Sequence, residues 1–240
     1  MLKENERIDD LMYKGLQIIQ HKEGYCFTQD SILLSHFIKA GAKETLVDLG
    51  TGSGIIAILV AKKTQARKIV GIELQERLAD MAKRSVALNG LSEQVQIIGG
   101  DILEAHTLLG QGNIDVVCTN PPYLANKKDA LDEIDICKNE VAITLAQVIE
   151  SANKLLKYGG RFYMVHRADR LADIIALMRQ ERIEPKRLIP IQPTAKKAID
   201  TIIIEGKKGG KPSLIFDKPI IVYNQKGELT PYARKIYNLG

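Results

Sequence analysis

Short apolar runs rich in Val, Ile and Leu alternate along this chain with longer segments whose apolar positions recur every three to four residues. Residues 45–49, 68–73, 95–98 and 114–119 are runs of the first kind and read as buried strands. Residues 75–89 are of the second kind and predict an amphipathic helix with Gly90 as its C-terminal stop, and 55–64, rich in Ile, Ala and Leu, is read as another helix. The alternation continues with a helix over 141–158 closed by Gly159 and Gly160, a strand over 161–166, a helix over 171–182, and strands over 186–191 and 201–205. Strands alternating with helices predict an α/β fold, a mostly parallel sheet with helices on both faces. Ahead of it, 16–20 and 25–27 read as short strands joined through Gly24, and 30–38 as a helix with an acidic start. The segment 124–140 is charged and weakly periodic. Connections of that length in compact domains are usually lids or binding loops. No internal repeat, low-complexity tract or linker interrupts the pattern. The expected organisation is a lead-in over 1–44 packed on a core over 45–206, with a basic extension over 207–240.

Composition narrows the class. With 240 residues, 45% hydrophobic and 26% charged, the chain resembles an ordinary soluble globular protein. It has no apolar run of about 20 residues that could span a bilayer. The start, Met1-Leu2-Lys3-Glu4-Asn5-Glu6, lacks the apolar core of a signal peptide. Cys26, Cys118 and Cys137 have no metal-type spacing and read as reduced thiols of a cytoplasmic protein, Cys118 being buried in its strand. His21, His36, His106 and His166 also lack ligand spacing, so no metal is expected. No membrane and no obligate protein partner is inferred. The net charge of +5 is concentrated: from residue 183 onward eleven Lys or Arg face five acids. A local basic field favours a polyanion such as nucleic acid.

Candidate chemistry gathers where the predicted strands end, which is where open parallel sheets bind ligands. Asp48-Leu49-Gly50-Thr51-Gly52-Ser53-Gly54 joins the first core strand to its helix. Alternate glycines there allow a sharp turn and close approach of a ligand, and the helix start beyond suits an anion. The spacing is G-x-G-x-G, not the dinucleotide G-x-G-x-x-G, and no Lys-Ser/Thr pair completes a phosphate loop. An acid, Glu73, ends the second strand, where it can accept from ribose hydroxyls. Asp101 follows the third, where it can accept from an adenine amino group. Asn120-Pro121-Pro122-Tyr123 follows the fourth and places an amide, two rigid prolines and an aromatic ring at the same rim. Such a group suits holding a planar nitrogen-bearing group flat.

Together these residues resemble class I S-adenosylmethionine-dependent methyltransferases of the amino-methylating kind, over roughly residues 27–205. The resemblance implies a Rossmann-like, seven-stranded, mostly parallel sheet with a reversed last strand and S-adenosylmethionine as cofactor. Within that group, Phe27-Thr28-Gln29-Asp30-Ser31-Ile32-Leu33-Leu34 is similar to the bacterial tRNA adenine-N6 methyltransferases acting on position 37 of a valine tRNA. Residues 70–82 resemble their Gram-positive members. The implied cofactor set is Thr28, Asp30, Asp48, Gly50, Gly52, Gly54, Glu73, Leu74, Asp101, Ile102 and Asn120. The implied catalytic set is Asn120, Pro121, Pro122 and Tyr123, with Asn120 and the Pro121 carbonyl accepting the amine's N–H groups. Tyr123, Lys127, Lys128, Lys196 and Lys197 are the candidates for substrate binding. The expected reaction is methyl transfer to adenine N6 in RNA, tRNA near the anticodon above all. Ribosomal RNA, DNA adenine and a protein glutamine amide are the alternatives within enzymes, and a non-catalytic RNA-binding protein of the same fold lies outside them. Glutamine enzymes carry a helical domain ahead of the cofactor motif, where this sequence has only 47 residues. An NAD-dependent oxidoreductase is disfavoured by the glycine spacing.

Overall fold

The centre of the computed structural model is one nine-stranded sheet; residues 2–22, 29–121, 144–237 and 239 are described. An antiparallel hairpin comes first, β1 (Glu6–Asp10) and β2 (Gln17–His21), followed by helix α1 (Gln29–Phe37). The core then runs β3 (Thr45–Leu49), α2 (Ile55–Lys63), β4 (Lys68–Glu73), α3 (Glu76–Leu88), β5 (Val95–Gly99), α4 (Ala105–Leu109) and β6 (Ile114–Thr119). After it come α5 (Leu145–Leu155), β7 (Leu156–Arg167), α6 (Leu171–Gln180), β8 (Ile183–Thr194) and β9 (Thr201–Lys208). The chain closes with β10 (Ile215–Phe216), β11 (Ile220–Tyr223) and α7 (Pro231–Ile236).

The seven expected strands lie side by side in the order β5-β4-β3-β6-β7-β9-β8. β9, the last of them, runs antiparallel to both its neighbours, and the rest are parallel. Strands β10 and β11 are additions to that expectation. Both pair with the outer edge of β8, at Arg187–Leu188 and at residues 191–194. Pro190 falls between these two short pairings, where a residue without an N–H costs no ladder bond.

Alternate side chains of each strand enter opposite cores, the period-two rule of a pleated strand. Leu46, Ile69, Val116 and Val165 join α1, α2, α3 and α7 on one face. Val47, Val70, Val117 and Met164 join α5 and α6 on the other. Helix α2 is buried at every position from Ile55 to Ala61, because the sheet lies beneath it and other elements close over it. Cys118 is fully buried, and burial pushes its thiol pKa up, so it acts as a small apolar filler. The hairpin packs outside α3: the Ile19 amide donates to Ser85 Oγ at 2.9 Å, and Arg84 clasps both carboxylate oxygens of Glu6 at 2.6 and 2.7 Å.

Several boundaries differ from the sequence reading. Leu156 is extended, so β7 starts directly at the end of α5, five residues ahead of the expected strand and inside the expected helix. The capping box of Thr144 and Gln147 starts α5. The expected strand at 25–27 and the expected loop at 124–140 lie outside the described residues.

Gly71 in β4 shows how tightly this part of the sheet is packed. A Cβ there would stand 2.8 Å from both Thr51 Cγ2 and Oγ1 and from Ile97 Cδ1. Gly71→Ala is expected to cost about 1–3 kcal/mol through overpacking, read as a lower urea midpoint at unchanged slope. An unchanged midpoint would show that the turn at Thr51 yields without cost.

Candidate functional site

Parallel pairing puts the ends of β3, β4, β5 and β6 along one edge. Leu49 is in register with Ile72 on one side and Thr119 on the other, and Glu73 with Gly99. Gly50 therefore stands between Glu73 and Asn120, with Leu74 and Gly100 one position further along the same edge.

The glycine-rich turn is built by hydrogen bonds that leave its outer side open. The Gly50 and Thr51 amides both donate to the Ile72 carbonyl at 2.9 Å. Gly50, Gly52 and Gly54 have φ of 70°, 58° and 91°, the left-handed region that favours glycine. A Cβ on Gly50 or Gly52 would meet nothing within 4 Å, so the turn presents bare backbone outward. Below it, Asp48 is fully buried and accepts from Thr51 Oγ1 at 2.6 Å and Cys118 Sγ at 3.6 Å. Burial pushes its carboxyl up to about 6, against the hydrogen bond from Thr51.

Glu73 is 7% exposed and bridges the turn to the start of α3. Its Oε2 accepts from the Gly52 amide at 2.8 Å and its Oε1 from the Gln75 amide at 3.0 Å. Asp101 is partly buried, and its Oδ1 accepts from the Leu103 amide at 2.9 Å, capping the 3-10 turn over Ile102–Glu104. Asn120 is partly exposed, and its Nδ2 donates to Ser31 Oγ in α1 at 3.0 Å. Gln20, in the hairpin and 1% exposed, donates to Ser53 Oγ in the turn at 2.8 Å. An open glycine turn flanked by an acid at the next strand end suits an adenosyl ligand with ribose hydroxyls. S-adenosylmethionine is a ligand of that kind.

A family model described as methyltransferase small domain matches residues 28–180. The chain belongs to the methyltransferase small domain family. Methyl transfer from S-adenosylmethionine is thus the class of chemistry for which this fold is built. One curated relative, a tRNA1(Val) (adenine(37)-N6)-methyltransferase from Porphyromonas gingivalis, is 28% identical over 66% of this chain and 64% of its own length. A second, named provisionally as a protein N5-glutamine methyltransferase, comes from Methanocaldococcus jannaschii. It is 33% identical over 48% of this chain and 55% of its own length. The chain thus spans under two thirds of either relative. A solved structure described as a predicted O-methyltransferase from Agrobacterium tumefaciens shares the fold with a TM-score of 0.71 at 21% identity. That match covers 88% of this chain and 96% of the other.

Not every expected site residue of this methyltransferase stands where a ligand would reach it. Gly50, Gly52, Glu73, Leu74, Asp101 and Asn120 are brought to the one rim, with Asp30 in the first turn of α1 and the buried Pro121 directly after Asn120, whereas Gly54 is buried and a Cβ there would meet Ala82 of α3 at 3.2 Å. Asp48 is not presented there: its carboxyl lies beneath the turn and shapes it. The Ile102 side chain likewise turns into the core, 8% exposed among the apolar residues facing α5. Thr28, Pro122, Tyr123, Lys127 and Lys128 lie outside the described residues, as do Cys26 and Cys137. His166 is buried at the rim with its pKa lowered by that burial, and its Nδ1 accepts from the Arg167 amide. Among the described residues there is no cluster that could hold a metal ion, and no helix long and apolar enough to cross a membrane.

The basic last quarter is divided by the sheet. Lys196 and Lys197 are exposed in the turn after β8, at the same edge as Asn120. A cavity of about 320 Å³ lined by Arg167, Asp169, Ile199, Asp200 and Thr201 opens beside that turn. Lys186, Lys207 and Lys208 stand at the opposite edge. There the Lys208 Nζ donates to the carbonyls of Asn153 and Leu156 at 2.6 and 2.9 Å, closing the end of α5. Sequence alone missed Ser31 and Gln20. Ser31 lies within the 27–34 resemblance but was given no role there, and Gln20 belongs to no motif.

Asp48 makes stability depend on pH. Its pKa in the fold is raised from 3.8, so its contribution is complete below that value and is lost as pH rises through about 6. Asp48→Asn removes the ionisation and should gain on wild type by up to about 3 kcal/mol between pH 4 and pH 7. Denaturant titrations at both pH values check this. A difference that stays flat would mean that Asp48 is not a buried charge.

Proposed function

We propose that this methyltransferase methylates the exocyclic N6 of an adenine in RNA, with tRNA near the anticodon as the favoured target. The observation that carries the reading is Asn120, followed by Pro121, at the end of β6 and one strand away from the open glycine turn. An adenine amine is a weak nucleophile because its lone pair is delocalised into the ring. It becomes reactive when two acceptors take its N–H bonds and turn the lone pair out of the plane. The Asn120 side-chain oxygen and the Pro121 carbonyl are the acceptors, and Pro122 and Tyr123 complete the group, with Tyr123 as the surface on which the base stacks. Aromatic stacking of this kind is worth about 1–3 kcal/mol per base. Bound beside them, S-adenosylmethionine supplies a methyl group already activated on a positively charged sulfur. Gly50 and Gly52 give it room, Gly54 lets the turn close onto α3, and Glu73, Leu74, Asp101 and Asp30 line its place. What remains for the protein is orientation.

RNA as the substrate is supported by the name of the Porphyromonas gingivalis relative and by Lys196 and Lys197, two exposed cations on the rim that carries Asn120. Lys127 and Lys128 are further candidates for contact with RNA by charge alone. On this reading the protein works in the cytoplasm. A glutamine amide is the second reading, favoured by the Methanocaldococcus jannaschii relative, since an amide nitrogen is also planar and conjugated. The two part on one assay: tRNA from a deletion strain lacks one N6-methyladenosine on the first reading and is unchanged on the second.

Asn120→Ala should lower kcat by on the order of 10²–10³, the usual cost of deleting a side chain that stabilises the transition state. Its calorimetric affinity for S-adenosylmethionine should match wild type. Turnover near the wild-type rate would remove Asn120 from the chemistry. Glu73→Ala should weaken cofactor binding by roughly 10–100-fold, the worth of hydrogen bonds to a charged group. The same calorimetry tests it, and an unchanged Kd would contradict the assignment.

A further inference from the structure

Asn120 can serve as an acceptor only if its carboxamide is turned the right way. The amide is planar, with two donors at one end and an acceptor at the other. Rotated by half a turn it would present N–H groups to an amine that is itself a donor, and the contact would become repulsive. Nothing in Asn120-Pro121 itself selects between these orientations. In this structure the donor end is turned to Ser31. Its hydroxyl oxygen lies 3.0 Å from Asn120 Nδ2 and accepts from it, across 89 residues of sequence. The accepted N–H commits the donor end of the amide toward α1 and turns the oxygen away from it.

We propose that Ser31 is a positioning residue for methyl transfer, holding the Asn120 carboxamide in its acceptor-forward orientation. The support is a fixed one. Ser31 is 5% exposed, so its hydroxyl is shielded from bulk water. Helix α1 is anchored by the buried side chains of Leu33 and Leu34 and by Ser35, whose hydroxyl donates to the Ile32 carbonyl at 2.7 Å. The Lys63 Nζ reaches Ser35 Oγ from α2 at 3.3 Å. At the start of α1, Gln29 Nε2 donates to the Tyr223 hydroxyl at 3.0 Å, so β11 braces the same end of the helix. Ser31 thus deepens the proposed role of Asn120 and rests on that reading, but it makes a separate claim: the orientation is imposed from α1.

Ser31→Ala, Ser31→Thr and wild type should be compared by turnover on tRNA, by calorimetry with S-adenosylmethionine, and by the ¹⁵N–¹H resonances of the Asn120 side chain. Alanine is the better helix former, so the variant keeps α1. It should lose roughly tenfold in kcat, the factor that corresponds to one lost neutral hydrogen bond. KM for RNA and the cofactor Kd should be unchanged, and the Asn120 carboxamide resonances should shift. Ser31→Thr keeps the hydroxyl and should restore most of the rate. Turnover of Ser31→Ala within twofold of wild type, a loss that appears as weaker cofactor binding, or unmoved Asn120 resonances would each overturn the proposal. Wild-type protein that leaves RNA adenines unmodified overturns the substrate reading alone, and the carboxamide resonances then decide the role of Ser31.

Discussion

The register between β3 and its two neighbours is the constraint on which the rim depends. Leu49 opposite Ile72 and Thr119 fixes where three chain segments leave the sheet, and those segments are the glycine turn, the Glu73 corner and Asn120. A slip of one residue in a pleated ladder would send each strand's apolar side chains to the wrong face. Both faces here are covered by core, so the slip is prohibited by the burial of every β3 side chain beyond Thr45. The same packing that stabilises the fold therefore sets the spacing of the site.

Around that frame the polar groups do unlike work. Asp48 is placed where its charge is costly and its geometry useful: it holds Thr51, and Thr51 holds the turn against Gly71. Glu73 joins the turn to the start of α3 through two backbone amides. Gln20 reaches the turn from the hairpin, and Ser31 reaches Asn120 from α1. The lead-in is thus part of the site's construction, contributing a hydrogen bond to each side of it.

Much was legible in the sequence because the signals were local. Strands β3, β4 and β6 coincide with runs of Val, Ile and Leu bounded by turn residues, and the turn glycines do take the left-handed conformations that such residues permit. The outermost strands were not read, since β10 has two residues and β11 follows Lys218 and Pro219; each exists because β8 offers an unpaired edge. Strand β1 was missed for the same kind of reason: Glu6–Asp10 is polar and gains its partner only when it pairs with β2 and meets Arg84.

Sequence by itself determined the class of sheet, the positions of the turns and the residue types that arrive at their ends, because periodicity and backbone freedom are properties of neighbouring residues. Tertiary structure alone decided which of those residues face a ligand. Asp48 and Ile102 were candidates by position, yet both are drawn inward, one by Thr51 and the other by the apolar layer. Lysines that look alike along the last quarter were sorted to opposite edges by the antiparallel turn of β9. A serine to which the sequence assigned no role became the partner of the key amide. Direction in space is set by contacts between residues far apart in the chain, and no local pattern encodes it.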